Sequence, residues 1–317
     1  MKHTQNALTA ALTGLAPAVW GSTYLMTTEL LPPDRPLLAT TVRALPGGLF
    51  LLALGRKLPV GIWWWRALML GVLNIGAFNF LLFVAAYRLP GGIAAMIMSA
   101  QPVFVVVLAA LFLGDGARTI HALACAMGTG GVVLLVFKGA ATLDVIGVLA
   151  TVGGALCMAS GITLTKRWGR PEGVSLLTFT GWQLTAGGLG LLPFWLSLED
   201  LPDDLTGDNV FGFVYLIVLG AVLGYVVWFR GVERLPAVAV SFLALGSPIV
   251  ATLLGYLVKD QTLSVLQIVG MVVVLLTVVL GQPRPLRPKS GQAPSAPPRT
   301  APPHLPDRPA PKRERSG

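Results

Sequence analysis

The sequence predicts an all-α integral membrane protein of ten transmembrane helices, arranged as two inverted five-helix repeats. Three observations predict this: a charge-poor composition, ten apolar stretches of bilayer length, and an internal repeat spanning an odd number of those stretches. The chain of 317 residues is 54% hydrophobic and 12% charged, with mean hydropathy +0.74. Soluble globular domains carry about 25% charged residues. Half that density cannot coat a water-facing surface, so lipid is the solvent for most of the chain.

A hydrocarbon layer about 30 Å thick needs about 20 mostly apolar helical residues. Stretches of that kind run over about 7–30, 36–55, 66–87, 91–113, 119–137, 144–165, 174–197, 210–229, 236–258 and 262–281. Ala16-Pro17-Ala18 mimics a signal-peptidase site. The apolar pattern nevertheless continues through Trp20, Tyr24, Leu25 and Met26, so the first stretch reads as a membrane helix. Turn residues and most charges fall between stretches, as in Pro32-Pro33-Asp34-Arg35-Pro36 and Lys166-Arg167-Trp168-Gly169-Arg170. Gln282–Gly317 holds 8 of the 23 basic residues and 11 of the 24 prolines. Having almost no large apolar side chains, it is expected to be a disordered basic tail near anionic head groups.

Basic residues set the expected orientation. With a cytoplasmic N-terminus the inner loops hold Lys2, Arg56, Lys57, Arg66, Arg118, Lys166, Arg167, Arg170, Arg230 and Arg234, plus the tail. The outer side holds Arg35, Arg88, Lys138 and Lys259, with the acidic loop Glu199, Asp200, Asp203, Asp204 and Asp208. Both termini are therefore expected in the cytoplasm, in a multi-pass plasma (inner) membrane protein.

Arg88-Leu89-Pro90 recurs as Arg234-Leu235-Pro236, and each proline is followed by another at the same spacing, Pro102 and Pro248. Gly47-Gly48-Leu49-Phe50-Leu51-Leu52 recurs as Gly187-Gly188-Leu189-Gly190-Leu191-Leu192, and Val132–Leu135 as Val273–Leu276. The expected units are 1–140, 141–281 and the tail 282–317. Because five helices form a unit, the second unit enters the membrane from the opposite side. Inverted repeats of this kind underlie alternating access in secondary transporters.

Trp20-Gly21-Ser22-Thr23-Tyr24, Arg43 and the run Arg88-Leu89-Pro90, Pro102 and Leu113-Gly114-Asp115 resemble the EamA-type drug/metabolite transporter superfamily. So do Trp228-Phe229-Arg230-Gly231-Val232-Glu233-Arg234-Leu235-Pro236, Pro248 and Asp260 in the second half. The resemblance covers about residues 7–281; Asp115 and Asp260 stand where the family usually has Glu. It implies ten helices around a central cavity, in a family many of whose members export amino acids or related metabolites.

Arg43 lies about eight residues into its span, and a charge at that depth costs at least about 2.5–3.5 kcal/mol. It either meets a substrate carboxylate or a gate, or acts as a structural hub bonding backbone carbonyls. Gln183 occupies the repeat-related position, so one shared polar layer is expected. Pro102 and Pro248 each remove an intrahelical hydrogen bond and read as hinges or packing kinks; Gln101 and Ser247 beside them are candidate cavity donors. Trp20 and Tyr24 share a helix face, as a cavity wall or as plain packing. Asn74 and Asn79 lie about 140° apart on a helix of about 3.6 residues per turn, so at most one faces the cavity directly. Gly220 and Gly224 form a GxxxG that reads as close helix packing.

Cys125 and Cys157 lack metal or redox spacing, and no cofactor or metal is expected. No Walker-type loop, HExxH or Ser/His/Asp arrangement appears, so no enzyme chemistry is expected. No Asp or Glu lies mid-span, which favours facilitated diffusion or exchange over proton coupling. The expected function is a secondary transporter of small polar or amphipathic metabolites, most of all an exporter of amino acids or derivatives. It would work as a monomer or homodimer in the bilayer, without nucleic acid. A carrier of phosphorylated sugars or nucleotide-sugars is the alternative and would need several cavity-facing Lys or Arg. An intramembrane enzyme would need a paired nucleophile and base.

Overall fold

In the computed structural model the described residues are 2–89, 91–114, 119–136, 144–202, 204–258 and 264–281. Pro90, Asp115, Arg118, Lys138, Asp203, Lys259, Asp260 and the tail Gln282–Gly317 lie outside them. Among the described residues the regular structure is helical throughout. The helices are α1 (Lys2–Gly21), α2 (Thr23–Leu30), α3 (Pro36–Gly55), α4 (Trp63–Arg88), α5 (Gly91–Met98), α6 (Gln101–Leu113) and α7 (Thr119–Val136). They continue with α8 (Val145–Trp168), α9 (Leu176–Leu198), α10 (Gly207–Arg234), α11 (Ala237–Leu243), α12 (Gly246–Val258) and α13 (Val265–Leu280).

Five helical stretches of 20 to 28 residues are long and apolar enough to cross a bilayer: α3, α4, α8, α10 and Ala237–Val258. Shorter apolar helices are α6, most of α7, and α13. Large apolar side chains such as Leu111, Val145, Leu196, Leu257 and Val265 are exposed on their flanks. In water such a surface would aggregate, whereas in lipid it is solvated.

Local chemistry sets the helix ends. Asp144, Ser175 and Ser264 accept backbone N–H bonds at the starts of α8, α9 and α13. Thr206 and Asn209 form a reciprocal capping box before α10. Gly114 closes α6 at φ 71°, a left-handed conformation that glycine adopts without a Cβ penalty.

The loops gather at two ends. At the end where α3 finishes, Lys57 donates to the Gly173 carbonyl at 2.7 Å, and Arg170 pairs with Glu233 at 2.7 Å. Lys166 there donates to the carbonyls of Val232, Glu233 and Leu235 at 2.8–3.0 Å. At the end where α3 starts, both Glu199 carboxylate oxygens accept the Leu37 and Leu38 N–H groups at 2.8 Å. Arg88 pairs there with Asp144 at 3.5 Å. One end is thus strongly basic and the other carries the acidic loop.

The packing between halves comes in exchanged pairs. A methyl group at Gly48 of α3 would sit 2.5 Å from the Thr185 nitrogen of α9; one at Gly188 of α9 would sit 2.8 Å from Leu45 Cβ of α3. Gly47 approaches Val222 and Ile217 of α10, while Gly187 approaches Gly76 and Gly71 of α4. Each contact maps onto the other when the two copies of the sequence repeat are exchanged.

The structure departs from the ten uniform stretches in five of them. The first stretch breaks at Ser22, between α1 and α2. Pro102 and Pro248 are not kinks within continuous helices: each lies just inside a new helix, after breaks at Ser99–Ala100 and Ala244–Leu245. A proline tolerates the first turn, where its missing N–H would have no partner. Finally, α4 widens into π turns at Val72–Gly76, and α10 does so at Leu216–Leu223.

Candidate functional site

The helix breaks converge on one cavity of about 790 Å³, its opening included. Trp20 and Tyr24 flank the α1–α2 break, and Arg43 comes from α3. Gln101 and Pro102 follow one interruption; Ser247 and Pro248 follow the other. Phe78, Met98, Met158 and Trp228 supply apolar wall from α4, α5, α8 and α10. Toward the basic end the wall is fully buried at Trp228 and Ser241; toward the acidic end it is half-buried at Tyr24 and Leu82.

Arg43 is held by a backbone carbonyl. In the π turn, the Gly224 N–H bonds the Leu219 carbonyl, five residues back. The Gly220 carbonyl accepts Trp20 Nε1 at 2.9 Å and Arg43 Nη2 at 3.3 Å. Arg43 is 2% exposed, and its Nε and Nη1 have no partner among the described residues. The GxxxG therefore makes room for side chains: a methyl at Gly224 would sit 2.9 Å from Trp20 Nε1, and one at Gly220 3.5 Å from Arg43 Nε. A guanidinium carries five donors, so one carbonyl leaves most of its capacity unused.

Asn74, Asn79 and Gln183 are brought together elsewhere and do not line this cavity. Asn74 Nδ2 donates to Gln183 Oε1 at 2.8 Å and to Thr165 Oγ1 at 3.2 Å. Asn79 Nδ2 donates to the Tyr225 hydroxyl at 2.8 Å, which donates to the Asn74 carbonyl at 3.2 Å. Gly161 leaves the space that the Asn74 side chain fills. These bonds tie α4 to α8, α9 and α10. Arg43 on Gly220 and Gln183 on Asn74 are again an exchanged pair, so the two polar residues sit in related but separate places.

Sequence reasoning missed Trp228, Phe78, Met98, Met158 and the Gly220 carbonyl. Trp228 opens the motif that runs to Pro236, and that motif was the available signal. Apolar Phe and Met in an apolar span give none, because lipid-facing and cavity-facing residues then look alike.

A helical protein with lipid-type flanks and a cavity walled by both halves of its sequence defines a membrane transporter. The chain belongs to the EamA-like transporter family, whose profile matches residues 8–137 and again 145–280. Protein PecM of Dickeya dadantii (strain 3937) is 46% identical over 267 residues, covering 84% of this chain and 90% of that protein. The uncharacterized inner membrane transporter YedA of Escherichia coli (strain K12) is 29% identical over 272 residues, covering 83% and 86%. Among the solved structures it resembles is a crystal structure with TM-score 0.72 at 20% identity, over 86% of this chain and 96% of its own, a likeness of fold alone.

Proposed function

We propose that the protein is a secondary transporter that moves small polar or amphipathic metabolites, above all amino acids or their derivatives, out across the plasma membrane by alternating access. In this reading ten membrane segments form two five-helix units of opposite topology, 1–140 and 141–281, with both termini cytoplasmic. The observation that carries it is the cavity itself: both halves wall it, interrupted helices line it, and it contains the under-partnered Arg43. The exchanged glycine contacts support two units related by a two-fold axis. The basic end is the inner end by the positive-inside rule. The fully buried wall at Trp228 and Ser241 supports an outward-facing arrangement.

Among the described residues Arg43 is the only Lys or Arg lining the cavity, which disfavours a carrier of phosphorylated sugars. Counterflow in proteoliposomes with a panel of labelled amino acids and derivatives, under imposed pH gradients, tests the proposal. Saturable exchange of at least one compound, lost on cavity mutation, supports it. No exchange across the panel by folded protein would reject it.

A further inference from the structure

We infer that the cavity selects solutes bearing a carboxylate and no free ammonium group, such as N-acylated or deaminated amino-acid-like molecules with an aromatic or branched apolar body, over zwitterionic amino acids. The inference rests on the reading that this cavity is the transported solute's site, and it narrows that reading. Charge is its first support. The wall carries one formal positive charge, on Arg43, and among the described residues no Asp or Glu lines it. The described ion pairs, Arg88–Asp144 and Arg170–Glu233, lie at the two ends of the molecule. A solute ammonium would therefore enter a poorly solvated space beside an unneutralised guanidinium, whereas a carboxylate would supply the missing counter-charge.

The second support is hydrogen-bond polarity. The wall's buried polar atoms without a partner among the described residues are nitrogens: Arg43 Nε and Nη1, Gln101 Nε2 and Trp228 Nε1. These residues are 2%, 4% and 0% exposed. They belong to α3, α6 and α10, three elements that line one space. The Tyr24 and Ser247 hydroxyls can accept from a solute but carry no charge. A buried donor left unpaired is costly, so an acceptor-rich solute gains where a donor-rich one does not.

Third, the two tryptophans of the wall pack on each other. Trp20 packs on Trp228 at 5.2 Å and on Tyr225 at 5.0 Å between ring centres, tilted by 58° and 52°, so the two indoles contact each other and are not set parallel around a shared space. An ammonium held by aromatic faces alone needs those faces free. What remains open is the apolar lining of Phe78, Leu82, Met98 and Met158, suited to a hydrocarbon body.

The test uses three probes with one side chain: N-acetyl-L-phenylalanine, L-phenylalanine and L-phenylalanine amide. Binding to the purified full chain at pH 7, followed calorimetrically, is paired with counterflow in proteoliposomes. The expected order is acetyl derivative, then amino acid, then amide, with at least about tenfold between the first two. Arg43→Gln should weaken the acetyl derivative about 10- to 100-fold and leave the amide no weaker, since one charge-assisted bond is lost. Arg43→Lys keeps the charge and should retain the order of preference, and it serves if Arg43→Gln folds poorly. A scaffold role for Arg43 would weaken all three probes alike. Equal or tighter binding of the amino acid or the amide overturns the inference, as does binding of none of the three. Counterflow of L-phenylalanine without the acetyl derivative would overturn it while leaving the transport reading standing.

Discussion

Gly48→Ala tests the contact on which the two halves depend. At Gly48 the added methyl would lie 2.5 Å from the Thr185 nitrogen, 2.6 Å from Thr185 Oγ1 and 2.9 Å from the Leu184 carbonyl carbon. Ordinary contact needs about 3.5–4.0 Å, and two of these three neighbours are backbone, so α3 and α9 must separate by about 1 Å. Overpacking of this kind costs about 1–3 kcal/mol. It outweighs the roughly 0.5–1 kcal/mol that Ala gains over Gly in a helix. Gly190→Ala, on the same α9 helix, meets nothing within 4 Å and should be neutral or slightly stabilising. Gly188→Ala, the exchanged partner, should behave like Gly48→Ala. Thermal unfolding of the three purified variants in one detergent reads the difference. A Gly48→Ala protein as stable as Gly190→Ala would refute the close crossing.

Glu199→Ala removes both acceptors of the Leu37 and Leu38 N–H groups at the start of α3, and should lower stability by about 1–3 kcal/mol in the same assay. In a Cys125→Ala, Cys157→Ala background, Asp204→Cys should react with an impermeant thiol reagent added outside intact cells; reaction only after permeabilisation would reverse the proposed topology. A chain stopped at Gln282 should insert and transport like the full chain, because the removed stretch is proline-rich and poor in apolar side chains. Lost transport at normal expression would give that stretch a role.

Membrane residence and the family were legible because they rest on long-range averages: charge density, span length and repeated motifs survive local irregularity. Arg43 was legible because a buried charge in an apolar span demands an explanation. The helix interruptions beside Pro102 and Pro248 were legible only as kinks, since proline marks where a ladder bond is missing but not whether the helix restarts. The π turns at Val72–Gly76 and Leu216–Leu223 leave no composition signal. That is why Gln183 could be matched in depth to Arg43 but not placed. Its partner Asn74 sits on a π turn that rotates it onto α8 and α9, away from the cavity. The repeat fixes equivalent positions, whereas the different side chains at those positions decide which one meets the cavity.

The central claim is that one cavity faces each side of the membrane in turn. Ser247→Cys, in the Cys125→Ala, Cys157→Ala background, places a thiol in the cavity wall beside Pro248. Its labelling rate by an impermeant thiol reagent, measured from outside on cells and from inside on inverted vesicles, tests the claim most directly. Labelling is expected from both faces, with reagent on one face lowering the labelling left for the other. Labelling confined to one face during active exchange would contradict it.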